Sequence, residues 1–121
     1  MFNWLFKSFR KPNIIRSADK LFLLECKIHG SHYYGCHQLL KEEKLFVGEP
    51  VILRRETDNE YDKNAIEILT QNKIKLGYVP KKHNTVIASL IDQNCHVCAN
   101  IESIFPSAWE PITITIVMRL K

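Results

Sequence analysis

No stretch of this 121-residue chain approaches the ~18 to 20 consecutive apolar residues that a membrane-spanning helix needs. Stable membrane insertion is therefore not expected. The opening "MFNWLFKSFRKP" lacks an apolar core followed by a small-residue cleavage site, so no secretory signal is expected, and the chain is expected to be cytoplasmic. Glycine is scarce, at four residues. The chain has no P-loop, no GxSxG elbow, no HExxH and no Gly-rich dinucleotide fingerprint, so the common nucleotide, acyl-transfer and zinc-hydrolase chemistries have no motif to rest on. Pairs such as Glu56 with Asp58, or Asp62 with His83, offer acid and base, but any polar loop does as much. The expectation is a protein without catalytic residues and without a cofactor.

Cysteine is present but sparse. Cys26, Cys36, Cys95 and Cys98 raise a zinc question, sharpened by "CHVC" at 95–98 and by His29, His32 and His37. A CxxC chelates when a turn brings both thiolates to one side. Here "CHVCANIESI" contains neither Gly nor Pro, and Val97, Ala99 and Ile101 recur at strand spacing. In an extended strand, positions 95 and 98 face opposite ways. Reduced cysteines are expected, with zinc and redox chemistry as the alternatives.

The length suits one compact domain, and an apolar fraction of 45% with 25% charged residues is ordinary for a globular protein. The net charge of +4 is unevenly placed. Residues 1–20 hold Lys7, Arg10, Lys11, Arg16 and Lys20 against Asp19 alone. Removing these from totals of 17 basic and 13 acidic residues leaves 12 of each in residues 21–121. A basic segment thus precedes a neutral body, which argues against broad phosphate tracking by that body. Within the segment, Phe2, Leu5, Phe6 and Phe9 recur at i, i+3, i+4 and i+7, with Lys7, Arg10 and Lys11 near the end and Pro12 as a stop. Such a short amphipathic stretch covers the domain's own apolar surface or pairs with another copy. The alternative is an adaptor that uses residues 1–12 to dock a protein partner or lie on a membrane surface.

From residue 21 onward β-patterning dominates. "LFLLECKIHG", "EPVILRRE", "NAIEIL", "NKIKLGYVP", residues 95–104 and "ITITIVMRL" each read as strands, and 64–69 with 73–79 as a hairpin across "TQN". "KKHNTVIASLIDQN" spaces Val86, Ile87, Leu90 and Ile91 at helical intervals, with Asn84 as N-cap and Asn94 as stop. "HQLLKEEKLF" is a second helical stretch. The fold class is mainly β with one or two helices (α+β), a small barrel or strongly curved sheet whose closure protects its edges. Residues 1–20 form the N-terminal segment and 21–121 the domain.

Binding chemistry concentrates in three places. "GSHYYG" puts His32, Tyr33 and Tyr34 between two glycines. If extended, the two tyrosines face opposite sides. One can stack on an unpaired base, or both are half-buried sheet residues. "RRETDNEYDKNAIEI" crowds Asn59, Tyr61, Asp62 and Asn64 between two strands, more polar chemistry than a hairpin needs. Asp62 repels phosphate and suits a hydroxyl or amino donor; alternatively it caps backbone amides in the turn. "GYVPKKH" sets Tyr78, Lys81, Lys82 and His83 at a strand-to-helix junction, where helix amides favour an anion. Trp109 in "FPSAWEP" is a further stacking platform or a loop anchor.

"HYYG", "VGEPVILRRETDNEYDKNAIEI" and "KLGYVPKKHNTVIASLIDQ", in this order, resemble the HIRAN domain, across roughly residues 25–93 and more weakly to Trp109. The family occurs in fork-remodelling helicase-like ATPases and as small stand-alone proteins. The resemblance implies an OB-like barrel that binds the 3′ end of single-stranded DNA in repair or replication. By motif position, Tyr33 and Tyr34 would approach the terminal nucleotides. Asn59, Tyr61 and Asp62 would form the end pocket, with Asp62 accepting from the 3′-hydroxyl. Lys81, with Tyr78 and His83, would hold the adjacent phosphate, and Trp109 would stack on a base. Two positions depart from the pattern. His32 stands where a characterised example has arginine, and Glu60 where a proline often sits. Both changes weaken attraction for phosphate. The ordered match on both sides of Asp62 favours a ligand pocket over a turn fixture.

Overall fold

The computed structural model describes residues 19–120. The expected amphipathic segment at 1–12, and the self-association or partner docking assigned to it, lie outside the described residues. Six strands and two helices follow in order: β1 (Lys20–Lys27), a 3-10 turn (Ser31–Tyr33), α1 (Cys36–Lys41), β2 (Pro50–Arg55), β3 (Ile66–Leu69), β4 (Lys75–Tyr78), α2 (Lys81–Asp92), β5 (His96–Ile104) and β6 (Ile112–Arg119). The sheet order is β1-β6-β5-β2-β3-β4, and every neighbouring pair is antiparallel. β2 is shared between two halves of this sheet. Pro50 and Val51 pair with β5, whereas Ile52 to Arg55 pair with β3. The two outermost strands then meet, because His29, just past β1, exchanges two backbone hydrogen bonds of 2.9 Å with Tyr78 of β4. That contact closes the curved sheet into a barrel, as edge protection requires.

The barrel is filled by alternate residues of its strands. Ile112, Ile114 and Ile116 of β6, Ile101 of β5, Ile66 and Ile68 of β3, and Leu76 of β4 are all fully buried. Their β-branched bias is what a pleated, half-buried surface selects. α2 packs Ile87 and Ala88 against this core. Its register differs from the expected one. Val86 is 65% exposed, and Asn84 is not the N-cap but a buried residue one turn inside the helix. Pro80 occupies the cap position, four residues earlier than the asparagine, with φ near −56°; proline's fixed φ and missing N–H suit a helix entry. Asn94 does mark the stop, with φ at 65°. α1 ends at Lys41, well short of Phe46. The 64–69 strand starts at Ile66, because Asn64 and Ala65 are held by the preceding loop.

Candidate functional site

The segment "GSHYYG" is not extended. Gly30 adopts a left-handed φ of 74°, and Ser31–Tyr33 form a 3-10 turn. The two tyrosines therefore do not project to opposite faces of a sheet. Their rings meet edge to face at 6.5 Å and both remain on the surface, with Tyr33 75% exposed. His32 packs against Tyr33 on one side and against Trp109 on the other, each at 4.0 Å between ring centroids. Tyr34 in turn meets Tyr78 edge to face at 6.0 Å. Trp109, His32, Tyr33, Tyr34 and Tyr78 thus form one aromatic track, although Trp109 is 76 positions beyond Tyr33 in a chain of 121. The loop that carries Trp109 is tethered beside it by Glu110, whose carboxylate lies 2.9 Å from His29 Nδ1.

The track ends at a polar cluster. The Tyr78 hydroxyl donates to Glu56 Oε1 at 2.6 Å and accepts from Lys75 Nζ at 2.7 Å. Lys75 Nζ also donates to Glu56 Oε2 at 3.3 Å and lies 3.6 Å from the buried Glu67 carboxylate, which Arg54 holds at 2.7 Å. The same ammonium sits 4.8 Å from the centre of the Tyr34 ring and 4.4 Å from that of Tyr78, within cation–π range. The hydrogen bond from Tyr78 holds Glu56 below its ordinary range, against the effect of its burial. Burial and the Glu56 contact push the Tyr78 phenol up to about 12. For Lys75, desolvation opposes the charged form, but the bonds to Tyr78 and Glu56 outweigh it and the net shift is upward. The cation is firmly retained.

Beyond Glu56 lies the loop 56–65. Asn59 Nδ2 donates to Glu56 Oε1 at 2.9 Å, and Asn59 Oδ1 accepts from the backbone amides of Tyr61 and Asp62 at 2.8 and 3.0 Å. Asp62 Oδ1 accepts from the Asn64 amide at 2.9 Å, and Oδ2 from Asn84 Nδ2 at 2.8 Å. These bonds, with lesser help from the charges of Lys81 and Arg55, keep the Asp62 carboxyl below its ordinary range. Arg55 fastens the loop's stem to α2 through Asp92, at 2.9 and 3.2 Å, and through the carbonyls of Lys63 and Ala65. Tyr61 is held by its backbone while its side chain is 91% exposed. Lys81 stands exposed in the first turn of α2 beside a half-buried His83, and no side chain caps that helix start.

The expected residues are therefore brought into one region. A line of contacts runs from Trp109 through His32, Tyr33, Tyr34 and Tyr78 to Glu56, Asn59, Asp62 and Asn84. Lys81 is linked to it through its field at Asp62, while His83 joins only by its place in the helix. Sequence reasoning missed Lys75, Glu56 and Asn84. Strict alternation puts Lys75 and Tyr78 on opposite faces, but the ladder slips between Ile68↔Gly77 and Leu69↔Lys75, and that irregularity turns both to one side. Asn84 had a readable signal, since it stands at i−3 from the buried Ile87 on the helix's inner face.

No group of three or more His, Cys, Asp or Glu side chains able to hold a metal occurs among the described residues. All four cysteines are free, and burial pushes the Cys26 and Cys36 thiols up to about 11, which makes them poor nucleophiles at neutral pH. No helix among the described residues is long and apolar enough to cross a membrane.

A family model described as the HIRAN domain matches residues 21–121. Among solved structures, a protein from Lactobacillus plantarum superposes with a TM-score of 0.73 at 27% identity, covering 82% of this chain and 94% of that one. The HIRAN domain of human HLTF superposes with a TM-score of 0.66 at 19% identity, covering 85% and 81%. No curated protein sequence matches this chain.

Proposed function

The chain belongs to the HIRAN domain family, and from that premise we propose that it is a binding module for single-stranded DNA which reads the strand's 3′-hydroxyl end. The carrying observation is the unbroken passage from exposed aromatic rings to the carboxylate-bearing loop. The exposed rings of Tyr33 and Trp109 stack on bases, worth about 1–3 kcal/mol per base and indifferent to which base it is. A single strand offers such faces; a duplex hides them. At the other end of the passage, Asp62 is ionised at neutral pH, and each of its oxygens keeps a second lone pair beyond the bond it already accepts. It accepts from a terminal hydroxyl and repels a terminal phosphate. Asn59, with oxygen and nitrogen both engaged, shapes the loop and presents Tyr61 and Asp62. Lys81, aided by His83 and the uncapped start of α2, holds the phosphate next to the terminal sugar.

The role is binding rather than catalysis, in a repair or replication setting. Fluorescence anisotropy with 3′-hydroxyl, 3′-phosphate and blunt duplex ends tests it. The 3′-hydroxyl single strand binds most tightly, and Asp62→Ala abolishes the preference over the 3′-phosphate. Equal affinity of the wild type for the two single strands removes the role of Asp62; equal affinity for duplex removes the role of the aromatic track.

A further inference from the structure

We infer that Lys75 is a positioning residue which couples the aromatic track to the 56–65 loop without touching nucleic acid; the inference rests on the site reading above. Three of its contacts point this way. Its ammonium lies over the rings of Tyr34 and Tyr78, at 4.8 and 4.4 Å. The same ammonium donates to Tyr78 Oη and to Glu56, and the Glu56 carboxylate also accepts from Asn59. Its backbone carbonyl accepts the N–H of Gly35 at 3.3 Å, which fastens the end of the tyrosine segment to β4. Along these contacts only Lys75 stands between Tyr34 and Glu56, and Lys75 with Glu56 between Tyr34 and Asn59.

The surrounding charge excludes the simpler role of a phosphate contact. Glu56 and Glu67 lie 3.3 and 3.6 Å from the ammonium, so its charge is balanced within the protein. A cation already neutralised in this way does little to neutralise a phosphate, and so displaces few of the counterions condensed on DNA. Lys81, exposed at the start of α2, is the contrasting case. Moving the Tyr34 ring therefore moves Lys75, and through Glu56 it moves the asparagine that holds the amides of Tyr61 and Asp62. Base stacking on the track and end recognition at the loop act as one event.

Lys75→Met keeps the side-chain stem and removes the cation; Lys75→Arg keeps a cation and serves as the rescue. Two measurements decide the matter. In the DNA-free protein, the backbone amide resonances of Tyr61 and Asp62 move in Lys75→Met and return toward wild type in Lys75→Arg. With DNA, Lys75→Met weakens 3′-hydroxyl strand binding roughly fivefold, loses the preference over the 3′-phosphate, and leaves the salt slope at its wild-type value. A salt slope lowered by about one phosphate's worth makes Lys75 a direct contact and overturns the proposal. So does an unchanged end preference, or unmoved Tyr61 and Asp62 amides. If the wild type itself shows no end preference, the end-reading function fails, and the coupling is judged on the DNA-free amides alone. If Lys75→Met does not fold, Lys75→Gln is measured in its place.

Discussion

At the scale of single residues, Gly77 sets the geometry of everything around Tyr78. It sits where β4 meets the end of β1, with φ at 150°, and a Cβ there would lie 2.5 Å from the carbonyl oxygen of His29 and 2.7 Å from Ile28. Both neighbours are fixed, one as backbone and the other as a fully buried side chain. Any side chain at 77 must push β1 and β4 apart, and the His29–Tyr78 bonds that close the barrel are the first to yield. Gly77→Ala is expected to lower the unfolding free energy by roughly 2–4 kcal/mol, from the clash and the disfavoured φ together. Urea denaturation measures it; a change under about 0.5 kcal/mol is the size of a neutral surface substitution and contradicts the closure role.

At the scale of elements, the site is a loop sewn to its neighbours by carboxylates. Glu56 ties the loop to β4, and Asp62 ties it to α2. Both carboxyls sit below their ordinary ranges in the folded protein. A depressed folded pKa means that the stabilisation is fully present above the unfolded value, and is lost as pH falls through the folded one. The stability difference between wild type and Glu56→Gln should thus be constant near neutrality and shrink below the ordinary glutamate value of 4.5. Denaturation midpoints from pH 7 to pH 3 check this; a gap that stays constant to pH 3 contradicts it. This element also separates what the sequence made legible from what it did not. Strand alternation located β3, β4 and their hairpin, whereas the polar crowding around Asp62 left a turn and a ligand pocket both open until the ordered match on either side favoured the pocket. The conformation of "GSHYYG" was not legible, because a left-handed Gly30 redirects the chain through a tertiary contact with β4. Nor was the meeting of Glu56 and Lys75, which depends on a slipped ladder and joins residues 19 positions apart. Alternation predicts faces, and an irregularity in the ladder reverses them.

At the scale of the whole molecule, charge distribution bears on the proposed strand binding. Residues 21–121 balance at 12 basic and 12 acidic side chains, and the chain's surplus of four positive charges comes from residues 1–20. Several of the body's cations are also consumed internally, Arg54 by Glu67, Arg55 by Asp92 and Lys75 by Glu56. With the body's charges in balance, stacking and end recognition are expected to supply most of the barrel's affinity. Each phosphate neutralised on a single strand contributes about −0.7 to the slope of log K against log salt. With residues 1–18 removed, which takes away Lys7, Arg10, Lys11 and Arg16, the slope should be shallow, about −0.7 to −1.4, corresponding to one or two phosphates. Lys81→Ala should bring it closer to zero by about 0.7. The preference for a 3′-hydroxyl over a 3′-phosphate should survive the truncation, because every group assigned to it lies in the barrel. Anisotropy titrations from 50 to 300 mM salt, on roughly that scale of ionic strength, resolve the two contributions. If truncation instead removes both affinity and end preference, the basic segment is the binder, and the neutral barrel must take a different ligand.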